Sequence, residues 1–258
     1  MEVGRPRVPK PPLPAPPGRL APGDVELWSV DLDLDRPDED GRGGGVWQLS
    51  EQEQARAARM RLDADRRSFV ASHLWLRRLL ADRLGVAPAR IEYATSGTGK
   101  PELASPSLPR LCFSMSRSGG LALYAFALGR EIGIDVEECR AGSDLAGMER
   151  RFLAPAEQAV LSGMVGPERR EAFYRTWTRK EAFLKAIGVG LSVPWAAVDT
   201  TGDVVRLERE VGGIEMGDES WSLRDLEVGP SYAAAVSVEG SFGDAPLRVR
   251  PAGAGSTG

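Results

Sequence analysis

The sequence predicts an α+β fold with two similar halves in one chain. Amphipathic helical spacing and short strand patterns separated by glycine turns occur together along the 258 residues. Apolar residues make up 42% of the chain, which is enough for a sizeable core and excludes a largely disordered protein. The order of helices followed by strands occurs twice, and from this order we expect a duplicated arrangement.

Composition divides the chain into two globular halves between two tails. Residues 1–22 contain eight prolines, so we expect a disordered, extended tail there. The globular sequence falls into an N-terminal half over residues 23–128 and a C-terminal half over residues 129–240. Glycine, proline and alanine dominate residues 241–258, for which we expect a flexible tail.

The N-terminal half begins with an alternating pattern that predicts a strand over Val25–Leu34. Ser50 and Glu53 satisfy the capping-box pattern, which predicts the start of a helix. An apolar stripe predicts a second helix over Arg67–Leu84, which Gly85 ends. Further strands are predicted over Ile91–Ala94, Leu111–Met115 and Leu121–Leu128, and a turn at Gly129–Arg130 is expected to form a hairpin into Glu131–Glu137.

The C-terminal half repeats this order. Its helical patterns cover Met148–Phe152, Pro155–Met164 and Pro167–Ile187. Its strand patterns cover Val204–Glu208, Ser220–Val228 and Tyr232–Val238.

Charge and composition exclude several classes of protein. The formal net charge of −4 argues against bulk nucleic-acid binding, which usually requires a basic domain. No apolar run approaches the ~18 residues of a membrane span. The two cysteines do not make a disulfide framework, so we expect a reducing, cytoplasmic environment. The single histidine, His73, lies within a helical pattern, which disfavours a histidine-dependent catalytic triad.

Two acidic residues in the sequence GIDVE are the first candidates for chemistry. Residues two apart on a strand share a face, so Asp135 and Glu137 project together while Ile134 and Val136 face the core. Neighbouring carboxylates repel unless a cation lies between them, and a hard divalent cation such as Mg²⁺ suits oxygen ligands. The same pattern also fits an ordinary solvated strand end.

A second candidate lies on the helix predicted over Pro167–Ile187. Glu181 and Lys185 are one turn apart and lie beside the apolar stripe, where a cleft could open. A surface ion pair worth about 0.3–0.5 kcal/mol fits the spacing equally well. The chain contains 29 Arg and only four Lys, and this skew draws attention to each remaining Lys.

Two polar segments could bind an anion. Small residues around Lys100, in the sequence SGTGKP, would allow a phosphate to approach the backbone closely. Ser116 and Arg117, in FSMSRSGG, supply a hydroxyl group and a guanidinium beside flexible glycines. A plain turn fits the first segment, and a polar transition from strand to turn fits the second.

Four motifs stand in one order: GKP, FSMSRSG, GIDVE and FYRTWTRKEAFLKAIGVGLSVP. Together they resemble the Sfp-type 4′-phosphopantetheinyl transferases, and the likeness covers about Val25 to Val238. The resemblance implies two similar α+β halves forming a pseudo-dimer, with the active site in the cleft between them. It also implies Mg²⁺-dependent transfer of the phosphopantetheine arm of coenzyme A to a serine of an apo acyl or peptidyl carrier protein, releasing adenosine 3′,5′-bisphosphate.

The resemblance also assigns roles to individual residues. The implied metal ligands are Asp135, Glu137 and Glu181, the implied catalytic residues are Glu181 and Lys185, and the implied coenzyme A contacts are Lys100, Ser116, Arg117, Arg67 and Ser68. One departure is Arg117, because the family usually has histidine there and uses it to contact the 3′-phosphate. We therefore expect arginine-based recognition of this phosphate.

Two other functions remain open at this point. The three carboxylates alone would permit another Mg²⁺-dependent phosphotransferase or pyrophosphohydrolase, and Arg117 leaves room for a non-catalytic module that binds coenzyme A or a carrier. From the resemblance we expect a monomer in which Gly188–Pro194 forms a lip of the cleft that contacts the carrier protein. The motifs do not distinguish fatty-acid, polyketide and peptide carriers.

Overall fold

A computed structural model describes most of the globular sequence. The described residues are 20–33, 46–97, 99–105, 109–141, 145–190, 193–206, 210–211, 214–215, 220–243 and 247–252. Nearly all of the expected tail over residues 1–22 lies outside these ranges. Among the described residues, no helix combines the length and apolar character needed to cross a membrane.

The chain forms a mixed α+β structure, so the predicted α+β class is confirmed. The helices are α1 (Glu51–Ala58), α2 (Asp63–Leu84), α3 (Leu145–Phe152), α4 (Pro155–Leu161) and α5 (Gly166–Ile187). The strands are β1 (Val25–Asp31), β2 (Tyr93–Thr95), β3 (Pro101–Leu103), β4 (Leu111–Ser118), β5 (Leu121–Leu128), β6 (Ile132–Glu138), β7 (Val204–Arg206), β8 (Glu210–Val211), β9 (Ile214–Glu215), β10 (Ser220–Asp225), β11 (Tyr232–Glu239) and β12 (Val249–Pro251).

The first sheet has the strand order β12-β1-β5-β4 and is covered by α2. Strand β5 pairs antiparallel with both β1 and β4, whereas β12 runs parallel to β1. Helix α2 buries Trp75 and Leu80 against Trp28 and Phe126 of the sheet. Gly85 ends the helix as predicted, with the left-handed φ of 67° that glycine adopts without strain.

The second sheet has the antiparallel order β6-β11-β10-β7, and α5 packs against it. Phe183 and Leu184 of α5 are buried with Trp221 and Leu223 of β10. Each four-stranded sheet therefore has one 22-residue helix on one face. On the other side, apolar residues of β1 and β5 pack against those of β6 and β11, so the two sheets share a core.

Serine side chains of β4 join the two sheets along one seam. The hydroxyl of Ser114 accepts a hydrogen bond from the backbone N–H of Ile134, and the hydroxyl of Ser118 accepts one from the N–H of Glu138. Buried backbone N–H groups need hydrogen-bond acceptors, and these two serines supply them for the N–H groups of β6 that face the first sheet. The carboxylates of β6 consequently lie beside β4.

Two predictions from the sequence are wrong. The chain turns at Gly129, but β5 and β6 do not form a hairpin, because β1 and β4 already occupy both edges of β5 and β6 pairs with β11 instead. The expected flexible tail over residues 241–258 contains β12, which pairs with β1 and leaves Ala252 only 3% exposed. Sparse apolar residues in this segment hid a strand that depends on a partner far away in sequence.

Candidate active site

A cavity of about 690 Å³ lies between α2, β4 and the C-terminal end of α5. This volume is in the range of pockets that bind cofactors and other small molecules. Three of the predicted site residues line it directly: Lys100, Ser116 and Lys185. Arg117 lines it as well, so predicted residues from the GKP loop, β4 and α5 meet at one cavity.

At one end of the cavity, Ser116 and Lys185 form hydrogen bonds with Asp135 of β6. The ammonium of Lys185 donates to Oδ1 of Asp135 at 2.6 Å and to Oγ of Ser116 at 3.0 Å. Ser116 in turn donates to Oδ1 of Asp135 at 2.7 Å. The predicted alternation of β6 is confirmed, because Ile134 and Val136 are fully buried in the shared core while Asp135 and Glu137 face β4.

Close approach of α5 to β6 brings these residues together. A Cβ atom at Gly133 would lie 2.1 Å from the carbonyl oxygen of Ala182 and 2.4 Å from the backbone nitrogen of Ala186. Only glycine leaves room for the helix backbone at this distance from the strand. Ala182 and Ala186 directly follow Glu181 and Lys185, so the contact at Gly133 sets how far the functional face of α5 lies from Asp135.

Negative charge is concentrated at this end of the cavity. Burial, followed by the charges of Asp135 and Glu137, raises the pKa of Glu181 to about 7, against the opposing effect of Lys185. Burial and the charge of Asp135 also raise the pKa of Glu137. Burial opposes the charge of Lys185, but Asp135 and the two glutamates outweigh it and raise the pKa of this lysine. The three carboxylates are thus electrostatically coupled around one ammonium.

The carboxylate oxygens at this site are of the kind that bind a hard divalent cation. Oδ2 of Asp135 is buried and has no hydrogen-bond partner among the described residues, so this oxygen is available to a cation. In the described part of the chain, however, no group of three acidic, histidine or cysteine side chains is arranged to hold a metal ion. Glu137 instead accepts a hydrogen bond from Ser118 at 2.8 Å, and Asp135 is paired with Lys185.

Lys100 joins the loop of the GKP motif to both neighbouring elements. Its ammonium donates to Oε2 of Glu131 at 2.7 Å, to the carbonyl of Ile132 at 3.0 Å and to the carbonyl of Ala186 at 2.9 Å. These three bonds use all the donors that a lysine has. Lys100 therefore lines the cavity and connects β6 to the C-terminal end of α5 through these hydrogen bonds.

Arg117 and the start of α2 form another wall. Arg117 donates to Oγ of Ser68 at 2.9 Å, and its guanidinium lies 6.0 Å from the ring centre of Phe69. Burial and the charge of nearby Arg56 lower the pKa of Arg117, against the opposing charge of Asp65. Two residues predicted as ligand contacts, Arg67 and Ser68, do not line the cavity. Arg67 is exposed, whereas Ser68 accepts the hydrogen bond from Arg117.

Sequence reasoning missed the role of His73. This residue lines the cavity, stacks on Phe69 with ring centres 4.0 Å apart and is hydrogen-bonded through Nδ1 to Oε1 of Glu53 at 2.9 Å. Glu53 also accepts a hydrogen bond from the buried guanidinium of Arg77 at 2.8 Å. The capping box predicted from Ser50 and Glu53 is confirmed, but nothing local indicates that Glu53 reaches a residue 20 positions away.

The predicted carrier lip is only partly described. Gly188 and Gly190 line the cavity, and Gly188 ends α5 with a φ of 77°. Val193 is 4% exposed and packs in the core of the second sheet, so it is not available to a carrier. Leu191 lies outside the described residues.

Comparison with known proteins gives the same class of protein as the motifs. The model of the 4′-phosphopantetheinyl transferase superfamily matches residues 131–237, a range that contains Asp135, Glu137, Glu181 and Lys185. The 4′-phosphopantetheinyl transferase HetI of Nostoc sp. is 35% identical over 240 residues, which cover 93% of this chain and 95% of that protein. The chain therefore belongs to the 4′-phosphopantetheinyl transferase superfamily and is a transferase of that class.

Two further relatives show how far the similarity extends. The 4′-phosphopantetheinyl transferase of Bacillus subtilis is 32% identical over 165 residues, covering 62% of this chain and 70% of that protein. A holo-(acyl-carrier-protein) synthase from Bacillus anthracis, solved in complex with CoA (3′,5′-ADP), is 26% identical. The match covers 43% of this chain and 96% of that protein, and its TM-score of 0.33 is too low for a structural argument.

Proposed function

We propose that this chain transfers the 4′-phosphopantetheine arm of coenzyme A to a serine hydroxyl of an apo acyl or peptidyl carrier protein. The observation that carries the proposal is the group Lys185, Asp135 and Ser116 at the end of a cavity with cationic walls. Arg56 and Arg117 line the same cavity, and guanidinium groups of this kind suit the phosphates of coenzyme A. Family membership supports the proposal independently.

In the proposed reaction the serine oxygen bonds to the phosphorus that carries the pantetheine arm. The bond between this phosphorus and the bridging oxygen breaks, and adenosine 3′,5′-bisphosphate leaves with the electron pair. We assign the serine proton to the carboxylate of Glu181 or to a water molecule that it holds. Lys185 reaches the end of the cavity and is positioned to neutralise negative charge on the leaving phosphate.

We further propose that Mg²⁺ assists this reaction and is held by Asp135, Glu137 and Glu181. The unpartnered Oδ2 of Asp135 and the crowding of three carboxylates support this assignment. When bound, such an ion supplies charge neutralisation at the pyrophosphate. The described residues form no ready group of three ligands, so binding the ion would require these side chains to rearrange.

The same proposal includes the arrangement and setting of the enzyme. The two sheets, each with four strands and one long helix, support a pseudo-dimer with the active site in the cleft between its halves. Because α2 and β4 of the first half and α5 of the second half line the one cavity, we propose that a monomer suffices. We also propose a cytoplasmic location, without a nucleic-acid or membrane partner, from the composition given above.

The decisive test is intact-mass spectrometry of apo carrier proteins from fatty-acid, polyketide and peptide synthesis, incubated with coenzyme A, Mg²⁺ and this protein. We expect a gain of one phosphopantetheine mass that disappears with Glu181→Gln. Glu171→Gln is a matched control, because this glutamate is exposed on the same helix ten residues before Glu181, and it should retain activity.

Other results would favour the competing functions. Hydrolysis of nucleotides without a carrier would favour another phosphotransferase or pyrophosphohydrolase. Coenzyme A binding without transfer to any carrier would favour a non-catalytic binding module.

A further inference from the structure

Lys180 and Glu157 form an ion pair that is completely shielded from solvent. Both side chains are 0% exposed, and Nζ of Lys180 lies 2.8 Å from Oε2 of Glu157. Lys180 also donates to the carbonyl of Trp195 at 2.8 Å and to the carbonyl of Val198. All three lysine donors are therefore used, as buried charge requires.

Glu157 is equally well satisfied. Its Oε1 accepts hydrogen bonds from the backbone N–H and the hydroxyl of Thr200, at 3.0 and 2.6 Å, and its Oε2 accepts one from the N–H of Ala154 at 2.7 Å. A pair of apolar side chains would often stabilise such a position as well as a buried ion pair does. Stability alone consequently gives no reason for an ion pair here. An ion pair with directed hydrogen bonds does, however, fix the positions of the groups that it binds.

The segment held by this pair leads directly to the cavity. Trp195, whose carbonyl is bound by Lys180, donates its indole N–H to the carbonyl of Gly190 at 3.0 Å. Gly190 and Gly188 line the cavity beside Lys185. A continuous series of hydrogen bonds thus runs from Glu157 through Lys180 and Trp195 to a wall of the cavity.

Lys180 lies on a different face of α5 from Lys185. Five residues along the helix, Lys185 reaches Asp135, while Lys180 faces α4 and the turn at residues 195–198. The Trp195 ring is fixed by packing against Trp177 and Phe152, with ring centres 5.2 and 5.3 Å apart. Its indole N–H and its carbonyl link Gly190 to Lys180.

We propose that Lys180 is a positioning residue that, through Trp195, holds the Gly188–Gly190 wall of the cavity in place for coenzyme A. This inference rests on the proposed function, because it takes coenzyme A to be the occupant of the cavity. In this proposal Lys180 holds the backbone of Trp195, and the indole N–H of Trp195 holds the carbonyl of Gly190.

The test measures the dissociation constant of coenzyme A by isothermal titration calorimetry without any carrier, so that it does not depend on transfer. In Lys180→Met/Glu157→Gln, no charge is left buried without a partner, and we expect the constant to rise about fivefold, the effect of one ordinary hydrogen bond. Trp195→Phe removes the indole N–H and leaves a smaller aromatic ring in its place, so it tests the hydrogen bond to Gly190 if the double variant fails to fold; we expect a rise at least as large.

Three further measurements distinguish positioning from a purely structural role. With a carrier, the KM for coenzyme A should rise in both variants while kcat stays within about twofold, since Glu181 and Lys185 keep their surroundings. Glu149→Gln, which breaks a different ion pair of α5 with Arg169, should leave the dissociation constant unchanged. A lower melting temperature with unchanged coenzyme A binding in both variants would overturn the inference. Failure of the wild-type protein to bind coenzyme A would instead refute the proposed function.

Discussion

Gly133 gives the sharpest prediction, because it separates the position of α5 from the chemistry of the residues on it. In Gly133→Ala, the new methyl group would lie 2.1 Å from the carbonyl oxygen of Ala182. Such a contact lies about 1 Å inside the shortest distance that real side chains show, so strand and helix must separate by about that amount. Neither contacting atom belongs to a flexible side chain, so the strain falls on the backbone of α5.

The separation should affect both stability and activity. Overpacking of this kind costs about 1–3 kcal/mol in well-packed cores. A displacement of about 1 Å at reacting groups can lower the rate about 100-fold. Moving α5 away from β6 lengthens the 2.6 Å contact between Lys185 and Asp135, so we expect kcat to fall by that order while the protein still folds.

Transfer kinetics and thermal denaturation would be measured side by side. Gly202→Ala is the matched control, because its Cβ would be 3.4 Å from the nearest atom, the carbonyl oxygen of Val204, which is an ordinary contact. A Gly133→Ala variant with wild-type kcat and a melting temperature equal to that of the control would refute the role we assign to the close approach of helix and strand.

Three other predictions follow from the site. Lys185→Met should reduce kcat/KM at least about 100-fold in a transfer assay, because it removes the cation at the end of the cavity and leaves Asp135 buried without its partner. Arg117→Ala should raise the KM for coenzyme A about 10-fold or more and leave that for 3′-dephospho-coenzyme A unchanged, since a charged hydrogen bond is worth about 1.5–3 kcal/mol. For Glu53, hydrogen bonds from His73 and Arg77 outweigh the effect of burial and lower the pKa from 4.5 to about 2. This carboxylate should therefore stabilise the fold by at most about 3 kcal/mol above pH 4.5 and lose that contribution as the pH falls towards 2, as urea denaturation at several pH values would show.

Each of these three predictions has a control variant and a result that would contradict it. Lys10→Met, in the N-terminal tail, should retain transfer activity, and equal activity of the Lys185 variant would contradict its assignment. Arg90→Ala changes an exposed arginine away from the cavity, and an Arg117→Ala variant with the same ratio of KM values as this control would remove the 3′-phosphate assignment. Glu53→Gln should flatten the dependence of unfolding free energy on acid pH, and an unaltered slope would contradict the role of this carboxylate.

Local patterns predicted those features that depend on neighbouring residues. The capping box at Ser50, the end of α2 at Gly85 and the bounds of β5 all follow from short-range geometry, and all are confirmed. The partners of Glu53 and Glu157 were not predictable, because His73 and Lys180 lie 20 and 23 positions further along the chain. No period of helix or strand relates residues at such separations.

Lysine usage was the most informative global signal, and the structure gives it a physical reason. Lys100 and Lys180 each donate three hydrogen bonds to a carboxylate and two backbone carbonyls, and Lys185 donates to Asp135 and Ser116. A compact ammonium directs its donors to three separate sites around one atom, whereas the planar guanidinium of arginine spreads its donors over a wide fork.

Each of these lysines therefore occupies a place that arginine fits poorly, which explains their presence in a chain with 29 Arg and four Lys. Lys100 binds the carbonyl of Ala186 in the last turn of α5, Lys185 binds Asp135 of β6, and Lys180 binds the turn at residues 195–198. Lys100 and Lys185 thus fix the position of the C-terminal end of α5 against β6, and the geometry of the proposed active site depends on it.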